Sequence, residues 1–142
     1  MMKTTLTRIL PLATAVFIAG CDTTGHDKGP YLPQKSKGPA YESTAPVVLL
    51  DPGVQYSVTT TGDPVALTLP DGRLQVAVQF RNRENRRIEV QTNCVFKDVN
   101  GLTLDETPFQ TLILTENATE QVTFTSLNNQ AHRYTIRVRQ AR

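Results

Sequence analysis

The chain has 142 residues, 39% of them hydrophobic, with two Cys, two His and no Trp. That length suits one core-forming domain with extensions, not several domains. Fifteen Lys and Arg face 13 Asp and Glu, a formal net charge of +2, too small to draw the protein to nucleic acid.

Lys3 and Arg8 stand before an apolar run, Ile9 to Ile18, which ends in Ile18-Ala19-Gly20-Cys21. A basic start, an apolar middle and small residues before a cut are the three parts of a secretion signal. The run is shorter than the ~20 residues that span a bilayer as a helix. Cysteine directly after Ala-Gly resembles the lipobox of bacterial lipoprotein precursors. The resemblance implies a signal peptide over residues 1–20 and acylation of Cys21, the first mature residue. Each buried lipid methylene contributes ~0.8 kcal/mol, and several chains together hold a protein on a membrane. Asp22 resembles an inner-membrane retention signal; attachment to the outer membrane, facing the periplasm, is the expected location. Loss of Lys3 and Arg8 leaves 13 basic residues against 13 acidic ones. Export permits disulfides, but lipid on Cys21 leaves Cys94 alone, so a packed core must supply the stability.

Residues 21–46 form the acylated Cys and a tether. From Asp22 to Pro46 the chain is rich in Gly, Pro and small polar residues, with no apolar period. Such composition buries too little surface to offset its ordering entropy. A flexible chain of that length reaches roughly 25–30 Å. Its reading is a plain spacer; docking of Tyr31 and Tyr41 on a partner is the alternative.

Residues 47–142 read as an all-β domain. Val47 to Leu50 is a short apolar run stopped by Asp51-Pro52-Gly53, a turn signal. Val54 to Thr61 is rich in β-branched residues and predicts a strand. Val65 to Leu69 follows, stopped by Pro70-Asp71-Gly72. Leu74 to Asn82 alternates, with Leu74, Val76, Val78 and Phe80 on one face. Arg83 to Arg86 is a polar connection. In Ile88 to Lys97, the residues Ile88, Val90, Thr92, Cys94 and Phe96 share a face. Asp98-Val99-Asn100-Gly101 predicts a hairpin turn, and Leu102 to Leu104 begins the return, interrupted near Pro108. Phe109 to Leu114, Gln121 to Ser126 and Arg133 to Arg139 complete seven or eight short strands, with no convincing helix. That spacing predicts a two-sheet sandwich of immunoglobulin or fibronectin type III kind.

Asn82-Arg83 before a strand, Asp98 with Gly101-Leu102, and Tyr134-Thr135-Ile136-Arg137-Val138 near the end form a pattern. Together with the lipobox, it resembles the YcfL-like family of small bacterial envelope lipoproteins, over about residues 74–139. Phe96 and Phe109 stand where that family often carries Trp. The resemblance implies a sandwich domain held at the envelope and implies no catalytic activity.

The residues themselves point the same way. His26 and His132 are too sparse for a metal site or a nucleophile–base pair. His132 reads as a half-exposed turn residue. Cys94 reads as a core residue, because free Cys packs as a small hydrophobe. Asp105-Glu106 reads as a solvated loop. Asn117-Ala118-Thr119 matches a glycosylation sequon and carries little weight in a bacterium. No metal, cofactor or catalytic role is expected beyond the covalent lipid on Cys21. The one pattern suited to recognition is arginine. Arg81, Arg83, Arg86 and Arg87 cluster at one connection; Arg133, Arg137, Arg139 and Arg142 line the last strand. If the strands from Leu74 and Arg133 share a sheet, the two groups meet. Guanidinium forks suit carboxylates and phosphates, and peptidoglycan stem peptides carry carboxylates. The plainer reading is a solvated face whose charges discourage edge-to-edge pairing. The expected function is a non-catalytic binding module for an envelope protein or the wall; the alternative is a structural subunit of an envelope assembly.

Overall fold

The computed structural model describes residues 44–141. The signal segment, Cys21, Asp22, His26, Tyr31, Tyr41 and Arg142 lie outside the described residues. So does the tether up to residue 43.

Two mostly antiparallel layers form a sandwich. In chain order the elements are β1 (Val47–Leu49), α1 (Pro52–Ser57), β2 (Val58–Thr60), β3 (Val65–Thr68), β4 (Leu74–Asn82), β5 (Ile88–Lys97), β6 (Thr103–Glu106), β7 (Gln110–Leu114), β8 (Thr119–Thr125) and β9 (Arg133–Gln140). Among the described residues the strands number nine rather than seven or eight.

Sheet A carries β1, β9 and β5 in that order, with β6 and β7 sharing the far edge of β5. β1 runs parallel to β9; the other pairs are antiparallel. Sheet B is built on β4. β8 runs along residues 75–81 of it, while β2 and β3 pair with its two halves on the other edge. β4 and β9 thus stand in opposite sheets, so the condition under which the two arginine groups would meet is not fulfilled. β9 is also an interior strand between β1 and β5, so its arginines guard no edge.

Alternation places the core. Leu74, Val76, Val78 and Phe80 of β4 face Ile88, Val90, Cys94 and Phe96 of β5, with Ile136 and Val138 of β9 and Val122 and Phe124 of β8. Phe80, Phe96, Cys94 and Ile136 are fully buried. Removing any of these large side chains costs roughly 2–5 kcal/mol, from lost transfer energy and the cavity left behind.

The one departure in element type is α1, where a strand is predicted. Asp51 sits at the N-cap and Pro52 opens the helix, where its fixed φ and missing N–H do no harm. Val54 is the residue that the helix buries. Asp51 does not cap with its side chain; its carboxylate accepts the Gln140 N–H at 2.7 Å. The same Asp-Pro-Gly that reads as a turn therefore starts one helical turn and ties it to the end of β9.

The predicted hairpin turn at Asp98 to Gly101 forms, and Pro70-Asp71-Gly72 turns the chain from β3 into β4. Gly72 and Gly101 each take φ of 87°, a backbone state that favours glycine. A Cβ on Gly72 would also meet Asn129 at 2.9 Å. Asp98 closes the β5–β6 turn by accepting the N–H groups of Asn100 and Leu102, both at 2.8 Å.

Candidate functional site

Asn82 organises one end of the sandwich. Its side chain is wholly buried. Its amide donates to the carbonyls of Arg86 at 2.7 Å, Leu114 at 3.2 Å and Thr115 at 2.8 Å, and its oxygen accepts the Glu84 N–H at 2.9 Å. One residue thus fastens the β4–β5 connection to the end of β7. This is the physical reason for Asn ahead of Arg83 in the motif noted above. Arg83 donates its backbone N–H to the Ser57 carbonyl at 2.8 Å, so α1 joins the same knot.

Above this knot lies a groove of about 490 Å³. Val54, Ile88 and Val90 supply its apolar floor, and Tyr56, Glu84, Arg86, Arg87, Glu89 and Gln140 its rim. The rim is doubly paired: Arg86 bonds Glu84, and Arg87 bonds Glu89 at 3.0 Å. Glu84 also accepts from the Ser57 hydroxyl. That hydrogen bond, and then Arg86, hold the Glu84 carboxyl below its ordinary pKa. Tyr56 stands 76% exposed at the rim, a ring in solvent beside mixed charge. Such exposed pairs hold their geometry weakly, so their donors and acceptors are available to a ligand that brings both signs.

The second arginine group behaves differently. Arg137 and Arg139 lie on the outer face of sheet A, in register with Asn93 and Gln91 of β5. Arg137 bonds Glu106 and donates to the Asn93 oxygen at 3.1 Å. Arg139 donates to Gln91 at 2.8 Å and lies 3.7 Å from the Phe109 ring centre; Arg137 is 5.6 Å from that ring. Asn93 in turn donates to Glu106 at 2.7 Å and to the Thr107 carbonyl at 3.2 Å. Lys97 donates to Thr135 at 2.8 Å, and burial, then the nearby Arg137, push its ammonium below its ordinary pKa. Val48 and Val95 are buried on this same face. The arginines therefore complete a thin third layer over the sheet. Arg133 stays exposed at the start of β9.

The two arginine groups do not form a single patch. Arg81 sits exposed on the outer face of sheet B, Arg83, Arg86 and Arg87 at the connection, and Arg137 and Arg139 on the outer face of sheet A. Arg86 and Arg87 line the end groove with its apolar floor, and Arg133 lines a separate concavity with Pro46 and Tyr134. Asp105-Glu106 is corrected as well: it belongs to β6, Asp105 accepts the Leu127 N–H at 2.9 Å, and Glu106 holds Arg137. Tyr56 and Gln140 escape sequence reasoning, since nothing local ties residue 56 to residue 140. Phe96, at a position noted for Trp, is core; Phe109, at the other, sits under Arg139.

Cys94 is fully buried. Burial, and then the charge of Asp105, push its thiol up to about 12. The thiolate is the reactive form, so this shift disfavours reaction near neutral pH. A narrower cleft of about 260 Å³ opens between β7 and β8. Thr92 lines it with a buried hydroxyl that has no hydrogen-bond partner. Among the described residues no cluster of three His, Cys, Asp or Glu could hold a metal ion. No described helix is long and apolar enough to cross a membrane.

No curated protein matches the chain. Among solved structures it is similar to Campylobacter jejuni cj0090, at 14% identity and a TM-score of 0.54, over 68% of this chain and 98% of that one. It is also similar to a DUF1425 family member from Shewanella sp. pv-4, at 23% identity and a TM-score of 0.53, over 59% of this chain and 76% of that one. At such identities the likeness is one of fold. The DUF1425 model, "Protein of unknown function", matches residues 53–140, from the second residue of α1 to the last of β9; the chain belongs to the DUF1425 family.

Proposed function

We propose that this protein is a YcfL-like envelope lipoprotein, acylated at Cys21, whose sandwich serves as a non-catalytic docking module on the periplasmic side of the outer membrane. The observation that carries the docking role is the end groove. It combines an apolar floor, an exposed Tyr56 and a rim of two Arg–carboxylate pairs. The lipobox Ile18-Ala19-Gly20-Cys21 supports the anchor. A rim with both charge signs suits a peptide-like partner that carries both carboxylate and ammonium groups, as wall stem peptides and protein loops do.

Two measurements test this separately. Cys21→Ser releases the protein from the membrane fraction; retention there overturns the anchor. In-cell crosslinking from a photoreactive residue at position 56 captures an envelope protein or wall fragment, and Arg86→Glu with Arg87→Glu abolishes that adduct while the melting temperature holds. An adduct that survives the double reversal moves the docking site away from the groove.

A further inference from the structure

Sheet edges differ in this sandwich. β1 and β2 are three residues long, β3 and β6 four and β7 five. β8 has seven and is the longest edge strand. Short strands are one of the means by which natural sheets blunt their edges; Lys, Pro and bulges are others. β8, Thr119-Glu120-Gln121-Val122-Thr123-Phe124-Thr125, has no Lys, Arg or Pro and one charge, Glu120.

The ladder with β4 fixes which backbone groups are left over. Ser126 donates to Leu74 at one end, and Asn82 to Ala118 at the other. Antiparallel pairs alternate between bonded and non-bonded. Glu120, Val122 and Phe124 therefore bond β4, and Thr119, Gln121, Thr123 and Thr125 turn their N–H and C=O groups outward. Their side chains stand on the outer face of sheet B, in register with Arg81, Gln79, Ala77 and Gln75. Among the described residues β8 has no ladder partner other than β4.

We propose that this edge pairs with the same edge of a second copy, antiparallel about Val122. In that register Thr119 faces the other copy's Thr125, Gln121 faces Thr123, and Val122 faces Val122. Every outward N–H and C=O then meets a partner. Glu120 lies opposite Phe124, so no like charges meet. Centring the pair on Glu120 instead would set two carboxylates against each other and leave part of the strand unpaired. Facing Thr–Thr and Val–Val pairs are the kind that stabilise antiparallel ladders. The two four-stranded sheets become one continuous sheet with a Thr/Gln outer face. A seven-residue strand is roughly 23 Å long and by itself buries less than the ~1,600 Å² of a standard interface. The dimer is accordingly weak and concentration-dependent.

The test is light scattering on the purified full chain in detergent, across a concentration series from low to high micromolar. Protein mass per particle rises from one copy toward two. Gln121→Lys with Thr123→Lys sets like charges against each other on two exposed positions, and weakens dimerisation roughly tenfold or more. The melting temperature of this variant shows that it folds. Mixing it with the Gln121→Glu, Thr123→Glu variant restores dimers, as a heterodimer. Gln75→Lys with Gln79→Lys, one strand inward on the same face, leaves dimerisation unchanged. A wild-type mass that stays at one copy overturns the proposal. So does a Lys variant that pairs as well as wild type, or a mixture that fails to pair.

Discussion

The two outer faces of the sandwich are built on opposite plans. On sheet A, Arg137, Arg139, Asn93, Gln91, Glu106 and Phe109 bond or stack with one another until Asn93 and Thr135 are sealed from solvent. On sheet B, the face carries Gln75, Gln79, Thr119, Gln121, Thr123 and Thr125, with Val65 and Leu67 exposed on β3. Charge is abundant where it is internally matched and scarce where the surface is open. A run of arginines in sequence is thus no measure of an available basic surface. What matters is whether the fold has already supplied the carboxylates and amides that a ligand would offer.

The contrast can be broken most sharply at Arg137. Arg137→Glu sets a second carboxylate beside Glu106 and strips Asn93 of a donor, so the domain loses roughly 3 kcal/mol by denaturant titration. Equal stability would mean that the third layer is ornamental. Phe109→Ala removes the ring beneath Arg139 and costs about 1.5 kcal/mol, read from the same titration.

A third measurement probes the inner side of sheet A. The unfolded Cys94 thiol ionises from its ordinary 9.0 upward, whereas the folded one keeps its proton to about 12. Rising pH therefore favours the unfolded chain across that window. Stability falls by about 1.4 kcal/mol for each pH unit well inside it. Cys94→Ala is less stable at neutral pH but loses this alkaline slope. A slope that persists in the variant assigns the effect to other groups. The smallest effect belongs to the open face: Arg81→Gln shifts stability by no more than about 0.5 kcal/mol. A larger loss would show that sheet B also depends on its surface charge.

Much of this architecture is legible in sequence. β4 and β5 form over the spans that alternation marks, because half-buried strands must alternate. The turns at Gly72 and Gly101 are readable because few other residues adopt their backbone. α1 is not readable: the strand signal of Val54 to Thr61 holds from Val58 onward as β2, but over residues 54–57 it is overridden by Pro52 behind Asp51 together with burial of Val54. The outer layer on sheet A is invisible for a different reason. Arg137 meets partners 31 and 44 residues away, and only strand order brings them together. The same holds for the end groove, where Tyr56, Arg86 and Gln140 come from three separate stretches. Alternation gives the inside of each strand; it says nothing of which strand lies alongside.

The parallel course of β1 on β9 has a further consequence for direction. Val47 lies beside Ile136, and Leu49 beside Val138; the chain then passes through Asp51 into α1, which lines the groove. β1 thus heads along β9 toward the end that carries Gln140, where the groove lies. The concavity opens at the pole opposite the point where residue 46 hands over to the sheet. A pull on the body at residue 46 would act on the end away from the mouth, leaving the groove on the far side.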